Sequence, residues 1–183
     1  MATIIEDSAF EAAPSASIWP TAALYGVVAA VLSFVVLLVG YNVGWMDLSA
    51  GFVGSLIIFA LVTTVSIGTI VLGMRAYRAA NGGLLSWTEG FKWALGYAVI
   101  GTLLSTVLTY FFYTVLAPDY FAEVAEGIGG MMEQFGASEE DIDAAVMAAE
   151  ANNATTATVS GLWQGLLWSS VIGAIVAAVL KNR

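Results

Sequence analysis

Four long apolar segments alternate with short polar segments along this chain of 183 residues. The stretches without any charged side chain cover residues 12–46, 48–74, 93–118 and 151–180. Each is longer than the ~20 residues that an α-helix needs to cross a hydrocarbon core about 30 Å thick. The pattern predicts an all-α polytopic membrane protein with four transmembrane helices, at residues 19–39, 52–74, 87–116 and 159–180. The third is too long for a straight crossing and should tilt or project into the headgroup layer.

The segment between the third and fourth spans, residues 118–156, has a different pattern. Apolar residues recur there at helical spacing, while acidic residues occupy the other faces of the helix. Such a helix is amphipathic, too short to span, and too charged to enter the bilayer. We therefore predict an amphipathic cap against the bundle mouth or the headgroups. Its apolar residues are Phe121, Ile128, Met132 and Phe135.

Start and break signals divide this segment into two helices. Ser138 is followed by three consecutive acids, and serine is a favoured N-cap while acids stabilise a first helical turn. The second helix should run to about Glu150. In the first helix, three glycines each cost about 1 kcal/mol relative to alanine. They favour a break there, at positions 127, 129 and 130.

The residue types present exclude several classes of function. Hydrophobic residues make up 60% of the chain and charged residues only 10%, whereas a soluble domain carries roughly 25% charged side chains. A soluble globular domain is therefore excluded. The chain has no histidine and no cysteine, so disulfides, Cys or His zinc sites, thiol nucleophiles and histidine acid–base catalysis are ruled out. Since no nucleophile or pair of acids shares one depth, we expect neither an enzyme nor a cofactor.

The basic residues predict the orientation in the membrane. They flank the loop between the second and third spans or follow the fourth span, at Arg75, Arg78, Lys92, Lys181 and Arg183. Loops rich in Lys and Arg stay on the cytoplasmic side. Four crossings then place both termini in the cytoplasm, with residues 1–18 as a polar tail and residues 19–183 as one transmembrane domain. We predict a multi-pass protein of the cell inner (cytoplasmic) membrane.

The net charge of −9 lies in one segment of the chain. Residues 118–150 contain nine acids and no bases, whereas the rest of the chain is balanced. The densest run consists of Glu139, Glu140, Asp141 and Asp143. These carboxylates could bind Ca²⁺ or Mg²⁺, but consecutive helical residues point about 100° apart and rarely converge on one ion. We favour a solvated helix start and expect no metal. A saline habitat and a cationic partner are both open explanations of the acidity.

A stripe of small residues runs along the fourth span at four-residue spacing. It consists of Gly161, Gly165, Ser169, Gly173 and Ala177. Small residues let another helix backbone approach closely, so we predict that this face packs within the chain or against a partner rather than lining a pathway. Similar stripes occur in the first and third spans. Trp168, which lies deep in the fourth span, is interpreted as a packing residue.

Polar groups inside the spans are hydroxyls and one amide. They are Thr63, Thr64, Ser66, Thr69, Thr102, Ser105, Thr106, Thr109 and Gln164. None is a carboxylate or a base, which argues against proton-coupled or ion-coupled transport. Such hydroxyls most often bond to the carbonyl of the preceding turn or to a neighbouring helix. A substrate path lined by them is the alternative.

The loop between the second and third spans carries the most specific sequence. Two glycines supply the backbone freedom for a tight turn, and Ser86 with Glu89 three residues later predicts a capping box for the third span. The charged residues of this interface are Arg75, Arg78, Glu89 and Lys92. They could form an ion cluster or contact anionic lipid headgroups.

At these residues the chain resembles the domain-of-unknown-function 4199 family of small, largely bacterial membrane proteins. The resemblance is carried by Asn81-Gly82-Gly83, Leu85-Ser86, Glu89-Gly90-Phe91-Lys92, Thr109-Tyr110 with Tyr113, and Pro118-Asp119-Tyr120. It covers about residues 18–181, although Trp87 stands where a phenylalanine would be expected. The resemblance implies four transmembrane helices with a long outer insertion before the last. It implies no activity and no functional residue.

Two functions from different classes follow from these features. The first is a non-catalytic accessory or scaffold subunit of a membrane assembly, whose small-residue stripes dock other helices. The alternative is a component of an oligomeric small-solute transporter or channel. The expected partners are the lipid bilayer and other membrane protein chains or further copies of this chain, with no nucleic acid.

Overall fold

The computed structural model describes residues 16–47 and 53–182, so most of the predicted polar tail and Arg183 lie outside the described residues. The described chain is helical, without strands. Its helices are α1 (Trp19–Asn42), α2 (Val53–Ala80), α3 (Trp87–Phe111), α4 (Tyr120–Gln134), α5 (Glu139–Glu150) and α6 (Ala154–Leu180). A π-helical turn, Phe112–Leu116, extends α3.

Four of these helices are long and apolar enough to cross a membrane, namely α1, α2, α3 with its π-helical turn, and α6. The prediction of four helices of spanning length and apolarity is confirmed. The ends of α2 and α6 extend beyond the apolar stretches that predicted them. At α6 the reason is a capping box, in which the Asn153 side chain accepts hydrogen bonds from the backbone of Thr155 and Thr156. This box starts the helix within polar sequence.

The central helix of the bundle is α3, which packs along α1 on one side and α6 on the other. Helix α1 also packs along α2, and α2 makes smaller contacts with α6 and α3, so the four helices surround one interior. A Cβ atom added to Gly26 of α1 would lie 3.1 Å from both the backbone nitrogen of Gly101 and the carbonyl oxygen of Tyr97. Glycine is therefore required where α1 crosses α3.

The α3–α6 contact is built from small residues on both helices. A Cβ atom on Gly90 would lie 2.7 Å from the Cβ atom of Ala177, and one on Gly173 would overlap the Cβ atom of Ala94. These stripe contacts are made within the chain. Trp168, interpreted from the sequence as a packing residue, is 66% exposed on α6, so most of its surface is not covered by the described chain. Its position in the helix turns it away from α3.

A buried aromatic and aliphatic core fills one half of the bundle. Its largest fully buried side chains are Trp93, Tyr77, Ile70, Met74 and Leu85. The Trp93 ring stacks on Tyr97, and its indole nitrogen donates to the hydroxyl of Thr21 at 2.8 Å. The four helices are therefore closely packed in this half of the bundle.

The loop between α2 and α3 holds both ends of the described chain. The Asn81 side-chain oxygen accepts a hydrogen bond from the Ala16 backbone at 2.9 Å. Asn182 accepts from the Leu85 backbone nitrogen and donates to the carbonyl oxygens of Leu85 and Gly83, all within 3.0 Å. We call these contacts the clasp, and this side of the bundle the clasp end.

Helices α4 and α5 form a hairpin at the opposite side, which we call the hairpin end. They pack against each other and are joined at Gly136, whose φ of 74° ends α4. Helix α4 runs unbroken through its three glycines. Gly127 is buried, and a Cβ atom on Gly129 would lie 3.3 Å from Val146 of α5. Packing on α5 therefore offsets the low helix propensity that favoured a break.

Candidate functional site

A cavity of about 300 Å³ lies between the four spanning helices, in the half of the bundle nearer the hairpin end. Each helix contributes at least one hydroxyl-bearing residue to its lining. These are Ser33 on α1, Ser66 on α2, Tyr97, Thr102, Ser105, Thr106 and Thr109 on α3, and Thr158 and Ser169 on α6. The remaining lining is alanine, glycine and larger apolar residues, with no acid, lysine or arginine. The cavity is therefore mostly apolar and uncharged, with scattered hydroxyl groups.

The hydroxyls of this cavity fall into two groups. Thr106 and Thr158 donate to backbone carbonyls of the preceding turn at 2.8 and 2.6 Å, as is usual for such residues in membrane helices. Six others make no side-chain hydrogen bond within residues 16–47 and 53–182. They are Ser33, Ser66, Thr102, Ser105, Thr109 and Ser169. These six hydroxyls are free to bond to a molecule in the cavity.

The floor of the cavity is the buried core. The Tyr97 hydroxyl lies 2.9 Å from the Thr69 hydroxyl and joins α3 to α2 just below the cavity. Trp93 is stacked beneath Tyr97 at a ring-centroid distance of 5.6 Å. At the same depth in the bundle, α1 and α3 are in close contact at Gly26. The cavity is thus closed toward the clasp end.

The predicted small-residue stripe of α6 is divided between packing and the cavity. Gly173 and Ala177 pack against α3 below the cavity, whereas Gly161, Gly165 and Ser169 line it. A Cβ atom on Gly165 would lie 2.9 Å from the methyl carbon of Thr102, but one on Gly161 would meet nothing within 4 Å. The sequence analysis favoured packing over a lined pathway for the whole of this face, whereas the structure assigns part of the face to the cavity. The sequence feature that could have indicated the cavity is the alternation of glycine with hydroxyl residues toward the start of α6.

An aromatic cluster attaches α4 to the spans. The Tyr41 ring lies 5.3 Å from Phe112, and Tyr113 stacks on Tyr120 at 5.0 Å and contacts Phe121 at 4.9 Å between centroids. Phe112 is completely buried at the π-helical turn. This cluster fixes the start of α4 at the hairpin end of α1 and α3.

A second pocket, of about 480 Å³, lies between α1 and α4 beside this cluster. Its polar lining includes Tyr41, Asp47, Tyr120, Glu123 and Glu126. Burial, with smaller effects from Tyr113 and Glu123, raises the pKa of Tyr120 to about 12. The Tyr120 hydroxyl is therefore neutral throughout the physiological range of pH, next to an acidic surface.

The residues predicted to form the amphipathic cap differ in their surroundings. Phe121 belongs to the aromatic cluster, and Ile128 and Met132 are half-buried. Phe135 is 78% exposed because it follows the last residue of α4, where the chain turns. The acidic run from Glu139 opens α5, with Ser138 as its N-cap. Among the described residues, no group of three or more acidic side chains is arranged to hold a metal ion.

The charged residues of the α2–α3 loop bind the backbone of the clasp end. Arg78 donates to the carbonyl oxygens of Gly83 and Leu180, at 2.9 and 3.3 Å. The Glu89 carboxylate accepts from the backbone nitrogen and hydroxyl of Ser86, which completes the predicted capping box. Arg75 and Lys92 are exposed. Most of the loop motif is thus explained by the structure of the loop itself.

Comparison with known proteins gives a family and no function. A family model described as "Protein of unknown function (DUF4199)" matches residues 24–182. Because the match covers nearly the whole chain, the chain belongs to this family. No curated protein matches the chain, and no solved structure does.

Proposed function

We propose that this DUF4199 protein is a non-catalytic integral membrane subunit that binds a small neutral amphiphile in the cavity between its spans. One observation carries the proposal, namely the six unpaired hydroxyls that the four spanning helices contribute to a single uncharged cavity. Small-molecule sites are typically ~300–1,000 Å³, mostly apolar, with a few convergent polar groups. The cavity has this composition and lies at the lower end of that size range.

The chemistry of the lining selects the charge of the ligand. A cation would find no carboxylate in the cavity, and an anion would find no lysine or arginine. Burying an unpaired charge is far more costly than burying a hydrogen-bonded polar group. Hydroxyls donate and accept equally well, so they suit an alcohol, ester or ether on an apolar body.

A component of a small-solute transporter is the second candidate. It is favoured by the one-sided closure of the cavity, since a transporter site is open to one side of the membrane at a time. Passage to the clasp end would require the core around Trp93 and Tyr97 to open. A scaffold role that relies on the small-residue stripes has less support, because Gly26, Gly90 and Gly173 are occupied by contacts within the chain.

The proposed location is the inner membrane, with the clasp end in the cytoplasm and the α4–α5 hairpin outside. The support is the concentration of basic residues near the clasp end. Single cysteines test it cleanly, because the chain has none. In intact cells, an impermeant thiol reagent should label Ser138→Cys and leave Gly82→Cys unmodified until the membrane is opened. Labelling of position 82 alone in intact cells would reverse the orientation.

Binding can be tested with three probes that share one alkyl chain and differ in head charge. We expect decanol to raise the unfolding temperature of the purified protein saturably, and decanoate and decyltrimethylammonium to have no saturable effect. Gly161→Leu should abolish the decanol effect, because a side chain added at Gly161 extends into open cavity space. The matched control is Gly68→Leu on α2, which also meets nothing within 4 Å but does not line the cavity. An equal response in Gly161→Leu and the wild type would refute the cavity as the site.

A further inference from the structure

We infer that the cavity is open sideways between α2 and α6, and that it receives the neutral headgroup of a single-chain lipid whose hydrocarbon chain leaves through this opening. The inference rests on the proposed function and specifies its ligand and route. It follows from the divergence of α2 and α6, and from the residues beside the opening.

One face of α2 shows the divergence directly. Phe59, Ser66, Ile70 and Tyr77 follow one another at helical spacing and share this face. Ile70 and Tyr77 are 0% and 1% exposed, whereas Phe59 is 70% exposed. The same face of the helix is therefore covered near the clasp end and uncovered near the hairpin end.

The surface of α6 that faces α2 is likewise covered near the clasp end and open near the hairpin end. Near the clasp end, Val176 belongs to one core with Ile70 and Met74 of α2, and Arg78 bonds to the Leu180 carbonyl. Near the hairpin end, the position of Gly161 is open. The two helices meet at one end and separate toward the other. Because both are membrane spans, the gap between them faces lipid.

The side of α6 next to the opening carries a polar group without a partner. Gln164 and Trp168 follow Gly161 by three and seven residues, so they lie on its side of the helix. Gln164 is exposed and makes no side-chain hydrogen bond within the described chain. It lies ten residues into α6, about 15 Å from the helix start at 1.5 Å per residue. An amide at hydrocarbon depth requires a polar partner.

These observations together define the ligand class. The hydroxyls inside the cavity and the Gln164 amide at its side suit a head with hydroxyl and ester groups, such as a glycerol monoester or a fatty alcohol. A phospholipid is disfavoured by its charged head, because the cavity lining contains no lysine, arginine or carboxylate to pair with it. The chain of the ligand would lie in the opening, between the exposed rings of Phe59 and Trp168.

Two tryptophans of similar exposure allow a direct test. Trp163 and Trp168 are 63% and 66% exposed, but Trp163 is two residues from Gly161 and therefore points to the opposite side of α6. The probe is a monoacylglycerol with a dibrominated stearoyl chain, added to the protein in nanodiscs of unbrominated phospholipid. Bromine quenches nearby indole fluorescence. We expect saturable quenching that is mostly lost in Trp168→Phe and retained in Trp163→Phe.

The outcomes separate this inference from the proposed function. Equal loss of quenching in the two tryptophan variants would mean that the probe merely partitions around the protein, and would overturn the inference. Absence of saturable quenching would also overturn it, while a decanol response would still support the cavity as a binding site. Gln164→Leu should weaken the monoacylglycerol titration several-fold. If Gln164→Leu instead leaves binding intact and converts an oligomer to a monomer, a second copy of the chain covers this amide and the inference fails.

Discussion

Gly173→Leu is expected to separate α3 from α6 and to destabilise the bundle. The Cβ atom alone would overlap that of Ala94, with the Ala94 Cα atom 3.5 Å away. The obstruction is on the adjacent helix at its closest approach, so no flexible side chain can move aside. Overpacking of a core typically costs ~1–3 kcal/mol, and this contact should lie at or above the upper end. The measurement is the unfolding temperature in mild detergent, followed by size-exclusion chromatography after heating.

Gly161→Leu is the matched control, because Gly161 lies on the same stripe of the same helix and has open space at its Cβ position. It should unfold within a few degrees of the wild type. Equal destabilisation by the two substitutions would mean that glycine is needed along the whole stripe for another reason. The two variants also separate packing from binding, since Gly161→Leu is expected to lose only the ligand response.

Trp93→Ala is expected to cause the largest loss of stability among the tryptophan variants. Trp93 is fully buried, stacks on Tyr97, and donates to the Thr21 hydroxyl at 2.8 Å. Removing a buried tryptophan side chain typically costs ~3–5 kcal/mol, because a cavity remains. The variant should unfold at a clearly lower temperature and lose the hydrogen bond that joins α3 to α1. Circular dichroism provides the measurement.

The control for this prediction is Trp163→Ala, in which a side chain that is 63% exposed is removed. Its unfolding temperature should stay near that of the wild type. If both variants lost the same stability, exposure to lipid would not distinguish the two positions, and the assignment of Trp93 to the structural core would be wrong.

Hydropathy alone was sufficient to predict the four spans. The requirement for about 20 apolar residues is imposed by the membrane and is readable in any window of sequence. Helix ends were less predictable, because backbone hydrogen bonds and caps set them rather than apolarity. Helix α6 begins at Ala154 in polar sequence because Asn153 caps it. Likewise, the break favoured by glycines in α4 does not occur, and α5 packs against one of them, Gly129.

The cavity could not be predicted in the same way. It is lined by residues of all four spanning helices, and which of these residues surround one volume depends on contacts between helices far apart in sequence. Ser33 and Ser169 look like ordinary small residues within an apolar span. Their importance appears only when the structure places them around one volume with Ser66 and Ser105. Gly161 is a similar case. Its spacing in the sequence places it in a packing stripe, whereas the structure places it in the cavity lining.

The clasp has a consequence for the order in which the protein can be completed during synthesis. The backbone of the fully buried Leu85 bonds to Asn182, which follows α6 in the chain. Until α6 has emerged from the ribosome and crossed the bilayer, these Leu85 groups lack their final partner, and an unpaired buried backbone group is costly. A nascent chain with three inserted spans therefore exposes an unfinished surface at its clasp end.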